Sequence, residues 1–442
     1  MSATTTEHPA LAHLWIHESP RVDLIENEMF RIFAAGQGGW LTDTNGERYF
    51  DLCSSMWQAP LGHGREDIVD AYGQQARAVA GAGPIFFTTQ GAIELAERLA
   101  AVAPGDMNRC FLTSSGSEAT ESAIKTARQY HRMRGDHHRF KFISRYGAYH
   151  GAGVGGTSFS GRRHKDAFYY PLTPGAVHVM PPTGKNDIAA AEEIRTRIEM
   201  EGPDTVAAVI GEPVSITEFR IPDSEYWPRV REICDEYGVL LIVDETLTGC
   251  CRSGKMWAIE HWDVIPDLMI VAKSLSAGYA PISAMVVREH VYQAFGEQGG
   301  SPSVQSYGGH GASAAAGAKA LQIYVDEGMS ERAEALGRSV LERVGHVCER
   351  AIVKDVRRLG SWIGIELCDP RTGVTLAQGL RGKYDIARRI VRLLLDNHCA
   401  AARMSEGILH ISPPYVSTEE DVEFISTSVD AVLDELEGFL GR

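Results

Sequence analysis

The sequence predicts an α/β protein built on a mostly parallel sheet and followed by a smaller α+β unit. Three observations carry that reading. From about Gly105 to Arg288, short β-rich runs alternate with longer helical patterns, as strands joined by crossover helices do. Two of those runs, Leu241-Ile-Val-Asp-Glu-Thr246 and Leu268-Met-Ile-Val-Ala-Lys273, stay apolar until an acid and a lysine close them, the pattern of strands buried on both faces. From about Ala333 onward the pattern changes to separated strands and amphipathic helices.

In chain order, Gly38-Gly39 and Asn45-Gly46 flank Trp40-Leu-Thr, and Arg48-Tyr-Phe-Asp51 follows. This predicts a β-hairpin, expected to pack with the C-terminal unit. Strands of the main sheet are expected at 109–113, 140–144, 206–210, 239–243, 268–272 and 283–287. A helix-rich stretch begins at His310. The last unit should contain strands at 361–367 and 408–412 and helices at 383–397 and 418–440, the final one opened by Thr418-Glu-Glu-Asp421 in the manner of a capping box. These patterns divide the chain into an N-terminal segment 1–60, a large domain 61–332 and a small domain 333–442.

A chain of 442 residues, 44% hydrophobic, can bury a large core and is expected to split into two or three domains. Its net charge of -15, from 43 Lys and Arg against 58 Asp and Glu, opposes binding to nucleic acid or an anionic membrane, because both need clustered cations. Neither is an expected partner. The eight cysteines lack metal-ligand spacing and the density of a small secreted scaffold, so they read as free thiols in a reducing compartment, with no metal site. The start, Met1-Ser-Ala-Thr-Thr-Thr-Glu-His8, has no basic region followed by an apolar one, and no apolar run approaches a membrane span. A cytoplasmic protein is expected.

The chemistry sits at the strand ends. Residues just past the carboxyl ends of parallel strands line the ligand crevice, which places Asp244 and Lys273 together. A lysine amine there can form a Schiff base with a carbonyl cofactor, and pyridoxal phosphate also needs an acid to keep its pyridine nitrogen protonated. Asp244 can be that acid. Phe111-Leu-Thr-Ser-Ser-Gly-Ser-Glu118 reads as a strand, a small-residue loop and a helix start. Backbone N–H groups at a helix N-terminus cradle phosphate, and the dipole adds roughly 0.3 to 1 kcal/mol. Ser115, Gly116 and Ser117 are the candidate anchor, and an ordinary capping box between Ser115 and Glu118 is the alternative. In Arg145-Tyr-Gly-Ala-Tyr-His-Gly151, Tyr149 is the candidate for stacking on the cofactor ring, or else a turn aromatic covering the sheet. Glu212, at the end of Val206-Ala-Ala-Val-Ile-Gly, either pairs with a basic residue in the site or helps order the cofactor side, with a structural ion pair as the alternative.

Taken in register, Ser115-Gly-Ser117, Tyr149-His-Gly151, Glu212-Pro-Val214, Asp244-Glu, Thr248-Gly249 with Arg252, and Lys273 resemble the class III pyridoxal-phosphate aminotransferases, the ω-transaminase group. The resemblance runs from His13-Leu-Trp15 to Pro413-Pro-Tyr415. It implies the fold type I architecture: a large domain with a mostly parallel seven-stranded sheet, and a smaller α+β domain formed by the C-terminal part with the N-terminal segment. It also implies that Lys273 carries the Schiff base, that Asp244 holds the pyridine nitrogen, and that Ser115, Gly116, Ser117, Tyr149, His150, Glu212 and Thr246 surround the cofactor. The stretch Ser306-Tyr-Gly-Gly-His-Gly311 matches the family segment that brings a hydroxyl to the phosphate from a neighbouring subunit. Ser306 takes that role by resemblance, and a homodimer with shared sites follows.

The same resemblance places Trp57 on the substrate wall, and has the partner subunit contribute Phe86 and Phe87; on residue type alone these three read as core. Arg403 stands ten positions before Pro413, where the group keeps a mobile arginine for a carboxylate, a task suited to a planar guanidinium. Departures are Thr246 in place of Val or Ile, Cys250-Cys251 in place of Phe-Gly, and Gly311 in place of proline; they bear on the substrate more than on the cofactor. The expected activity is amino transfer from an amine or amino acid, including an ω-amine, polyamine or amino sugar, to a keto acid or carbonyl acceptor. An aminomutase, racemase or sugar-modifying enzyme on the same fold is the alternative. A cofactor-free binding module is the remote one.

Overall fold

The structure is a computed structural model that describes residues 13–17, 29–162, 167–296, 299–376 and 383–440. The reading of the first eight residues falls outside them. A short N-terminal sheet comes first, with β1 (Phe33–Gln37), β2 (Trp40–Asp43) and β3 (Arg48–Asp51) running antiparallel. The turns between them fall at Gly38-Gly39 and Asn45-Gly46, where Gly38 and Gly46 take the positive φ that a tight turn requires.

The central sheet has seven strands: β4 (Met107–Thr113), β5 (Lys141–Arg145), β6 (Ala176–Val179), β7 (Val206–Gly211), β8 (Leu240–Asp244), β9 (Leu268–Val271) and β10 (Ser283–Arg288). Their order is β4-β10-β9-β8-β7-β5-β6. Every pairing is parallel except the two made by β10, which runs antiparallel to both β4 and β9. Six of the strands fall where the sequence places them; β6 adds a seventh at the edge.

Alternate side chains of each strand enter different cores, as the pleat requires. Leu240, Ile242, Leu268 and Ile270 pack under the helix Gly116–Met133. Leu241, Val243, Met269 and Val271 pack with the helices Gln90–Val102, Ile188–Glu201, Tyr226–Tyr237 and Gly311–Asp326. Burial on both faces explains why these strands read as unbroken apolar runs.

A third core contains Phe50 and Leu52 together with residues between Leu336 and Leu436. Its sheet consists of β11 (Val353–Leu359), β12 (Trp362–Leu367), β14 (Arg403–Ser405) and β15 (Ile408–Ile411), in the order β11-β12-β15-β14. Between them in sequence, β13 (Ala400–Ala401) adds in parallel to β3. That pairing and the bond from Trp40 Nε1 to Asp421 (2.8 Å) attach the N-terminal sheet to this unit. The last helix, Glu419–Leu440, opens as a reciprocal capping box: Asp421 N–H donates to Thr418 Oγ1 (3.2 Å), and Thr418 N–H donates to Asp421 Oδ2 (2.8 Å). Among the described residues no helix is long and apolar enough to cross a membrane.

Candidate active site

The carboxyl ends of β4, β5, β7, β8 and β9 deliver the site. Asp244 ends β8, and Lys273 begins the short turn after β9 with φ +45. A lysine held in the left-handed region is a strained residue of the kind that clusters at functional sites. The turn is fixed from outside: Tyr324 donates to Ser274 O (2.7 Å), and Ser274 Oγ donates to Trp57 O (3.0 Å). Burial lowers the Lys273 pKa to about 8. The charges of Asp244 and Glu212 oppose that fall, and those of Arg403 and Arg252 add to it.

Asp244 is buried, with Oδ2 2.9 Å from His150 Nδ1 and Oδ1 accepting from Thr246 N–H (3.1 Å). Burial pushes its carboxyl up, but the hydrogen bond and charge of His150, with Thr246, outweigh burial and hold it below the usual carboxylate range. Nε2 of His150 is buried without a hydrogen-bond partner in the protein. Glu212 pairs with Arg145, whose Nη2 lies 3.5 Å from Glu212 Oε2 and also bonds the Glu212 carbonyl (2.5 Å). An ion pair with Arg145 is therefore the arrangement seen at Glu212, and burial raises its carboxyl above the usual value.

The Ser115-Gly-Ser117 loop does two jobs. Ser115 caps the helix by accepting from Glu118 N–H (3.3 Å), while Glu118 Oε2 accepts from Ser114 N–H (2.8 Å). Ser117 Oγ accepts from Ala152 N–H (2.9 Å), docking the loop on Tyr149-His-Gly151. Capping leaves the first N–H groups of the helix, at Gly116 and Ser117, without an intrahelical partner. A Cβ on Gly116 would lie 3.3 Å from both Ala272 Cβ and Thr246 Cγ2, so the loop closes directly on the ends of β8 and β9. Tyr149 carries the Arg162 guanidinium 4.5 Å over its ring.

Trp57 is fully buried against Trp362 and His410, with the Arg403 guanidinium 5.9 Å over its ring. It ends a left-handed turn, Ser54 to Trp57, in which all four residues have positive φ. Phe86 (97% exposed), Phe87 (69%) and Ser306 lie on the surface. Several residues here escaped the sequence reading. Arg145 had a usable signal, since it ends β5 as Asp244 ends β8. Trp362, His410 and Ser405, which pack below Arg403, look like ordinary alternating strand residues and had none. Among the described residues no group of three or more His, Cys, Asp or Glu is placed to hold a metal.

The donor set fits pyridoxal 5′-phosphate: a buried amine of lowered pKa, a buried ionised carboxylate with its own histidine, and a glycine-bearing helix start that leaves N–H groups free. The fold and the site thus define a pyridoxal-phosphate enzyme of fold type I. Comparison with known proteins narrows the class. The model of the class III aminotransferase family matches residues 23–433. A probable aminotransferase of Mycobacterium tuberculosis is 35% identical over 98% of this chain and 94% of its own. The taurine–pyruvate aminotransferase of Rhodobacter capsulatus is 31% identical over 96% of each chain. The ω-transaminase of Pseudomonas jessenii, solved in complex with PMP, superposes with a TM-score of 0.91 at 26% identity over 97% of each chain. The chain belongs to the class III aminotransferases. It is a pyridoxal-phosphate-dependent transaminase that moves an amino group from a donor to a keto-acid acceptor.

Proposed function

We propose that Lys273 and Asp244 are the catalytic pair of this transaminase, and that Arg403 receives the carboxylate of the acceptor. The juxtaposition of the buried Lys273 amine with the His150-paired Asp244 carboxylate carries the reading. Lys273 would hold the cofactor aldehyde carbon, Asp244 its ring nitrogen, the Gly116 and Ser117 N–H groups its phosphate, and Tyr149 a face of its ring, with Thr246 beneath. When bound, pyridoxal phosphate supplies a carbonyl that takes up the amine and a ring that accepts electrons. The chain supplies the rest. At a pKa of about 8, Lys273 has a neutral fraction at pH 7 roughly two to three orders of magnitude above that of an ordinary lysine, which suits a base that moves a proton at the substrate carbon. Asp244 stays ionised through that range because His150 faces it.

The homodimer belongs to the same proposal. Ile85, Phe86 and Phe87 are exposed, as are Val304 and Tyr307, and Ala312 N–H bonds Ala80 O (3.0 Å) so that the two loops lie side by side. A surface of this kind is what an interface covers, and it would carry Phe86, Phe87 and Ser306 into the partner's site. We further assign the division at residues 60 and 332, supported by the separate core around Phe50 and residues 336–436, and a cytoplasmic setting, supported by eight unpaired cysteines. Donor preference within amines, taurine-like sulfonates included, is open to direct assay. Borohydride reduction followed by peptide mapping tests the site: an adduct on Lys273 supports it, and an adduct elsewhere overturns it. Amino-acid formation from pyruvate or 2-oxoglutarate separates transamination from mutase or racemase chemistry.

A further inference from the structure

Arg403 has soft company. Its Nη1 reaches only the sulfur of Met56 (3.5 Å), its guanidinium lies over Trp57, and its Nε is buried without a hydrogen-bond partner. Among the described residues no carboxylate lies within ion-pair distance of it. What holds Arg403 there comes from below.

In the antiparallel pair β14–β15, Arg403 stands directly opposite His410, and Ser405 is two residues further along the same face. His410 is fully buried. The Trp362 indole can only donate, so its bond to His410 Nδ1 (3.1 Å) makes Nδ1 the acceptor and places the ring proton on Nε2. Nε2–H then donates to Ser405 Oγ (2.6 Å), and the Ser405 hydroxyl donates onward to Thr217 O (3.2 Å). Each role in this chain is forced by the one before it. Phe219 packs on Trp362 with ring centres 4.0 Å apart, and Trp57 meets His410 edge-on at 5.4 Å. Trp57, on which Arg403 rests, is therefore seated on the same ring that ties down β14. Burial, with Arg403 and Arg357 nearby, pushes the His410 pKa down to about 3, so no second cation forms opposite Arg403 near neutral pH.

We propose that His410 is a positioning residue for the acceptor half of the reaction: its ring, clasped between the Trp362 indole and the Ser405 hydroxyl, holds β14 and Trp57 so that the Arg403 guanidinium stays parked and available to an acceptor carboxylate. The inference rests on the reading of Arg403 as the carboxylate-binding residue. The clasp selects for acceptors that bear a carboxylate and leaves acceptors without one unaffected.

Two acceptors that share a short carbonyl chain test this, pyruvate with a carboxylate and propanal without one, each reacted with the holoenzyme first converted to its amino form. His410→Phe should raise the half-saturating pyruvate concentration about tenfold and change that of propanal by less than about twofold. Ser405→Ala should act in the same direction, and His410→Gln, which keeps an acceptor and a donor, should restore most of the loss. In an Arg403→Gln background, His410→Phe should add nothing further for pyruvate. Unchanged pyruvate saturation in His410→Phe, while Arg403→Gln alone raises it, overturns the positioning role and leaves the Arg403 reading intact. An equal loss for both acceptors also overturns it, because general damage does not discriminate between them. Unchanged pyruvate saturation in Arg403→Gln overturns the Arg403 reading and this inference with it.

Discussion

His150 Nδ1 lies 2.9 Å from Asp244 Oδ2, and both side chains are buried at the carboxyl end of the central sheet. The contact reverses what burial alone does to the acid. Because the native carboxyl titrates below its unfolded value, the stability it contributes is complete above about pH 4 and is lost as pH falls through the native value. In His150→Phe the Thr246 hydrogen bonds remain but the opposition from His150 to burial is gone, so the acid limb of kcat moves to higher pH. At pH 7 kcat falls roughly 10- to 100-fold, as is typical when the partner behind a functional group is removed. A pH–rate profile checks this. An acid limb that stays in place would show that His150 does not set the ionisation of Asp244.

Lys273 yields a prediction with the opposite sign. Its amine is held at about 8, so the attacking neutral form grows as pH rises through that value. Reloading of the apo-protein with pyridoxal phosphate, followed by visible absorbance, should accelerate with pH up to about 8 to 9 and then level off. A rate still climbing toward 10.5 would contradict the effect of burial. Lys273→Ala should lower turnover by at least about 10² to 10⁴ and remove the borohydride-trapped adduct.

Gly116→Ala tests the loop. The new Cβ would press at 3.3 Å on Ala272 and Thr246, a few tenths of an ångström too close. Apo-protein stability should change by about 1 kcal/mol or less, while the dissociation constant for pyridoxal phosphate, read by spectroscopic titration, should rise about tenfold or more. Unaltered cofactor affinity would separate this loop from the cofactor.

The parts of this site that were legible in the sequence are those a parallel sheet makes compulsory. Asp244 and Lys273 close runs that are apolar because both faces are buried, so the strand and the polar residue that ends it announce each other. β6, with four residues at the sheet edge, offers too short an apolar run to stand out. The left-handed turn Ser54–Trp57 carries no glycine, and such a backbone costs roughly 1–2 kcal/mol per residue. It is maintained by contacts that local pattern does not encode: Ser55 Oγ to Asp51 (2.9 Å), and Ser54 Oγ to Ser412 O (2.7 Å). His410 was silent for the same reason, since its role exists only once Trp362 and Ser405 are brought to it.

A mixing experiment decides whether sites are shared. Lys273→Ala removes the amine but leaves Ser306 intact; Ser306→Trp alters an exposed loop residue and leaves Lys273 intact. If each site combines Lys273 of one chain with Ser306 of the other, both variants are inactive as homodimers. In a mixed dimer, one of the two sites then receives a sound residue from each chain and works. Random reassociation makes half the dimers mixed, so activity should return to about one quarter of wild type per chain. Recovery that depends on prior dissociation and reassociation would support the shared site. No recovery, with mixed dimers demonstrated by mass, would overturn the pairing of Lys273 with Ser306 of the partner subunit in one site.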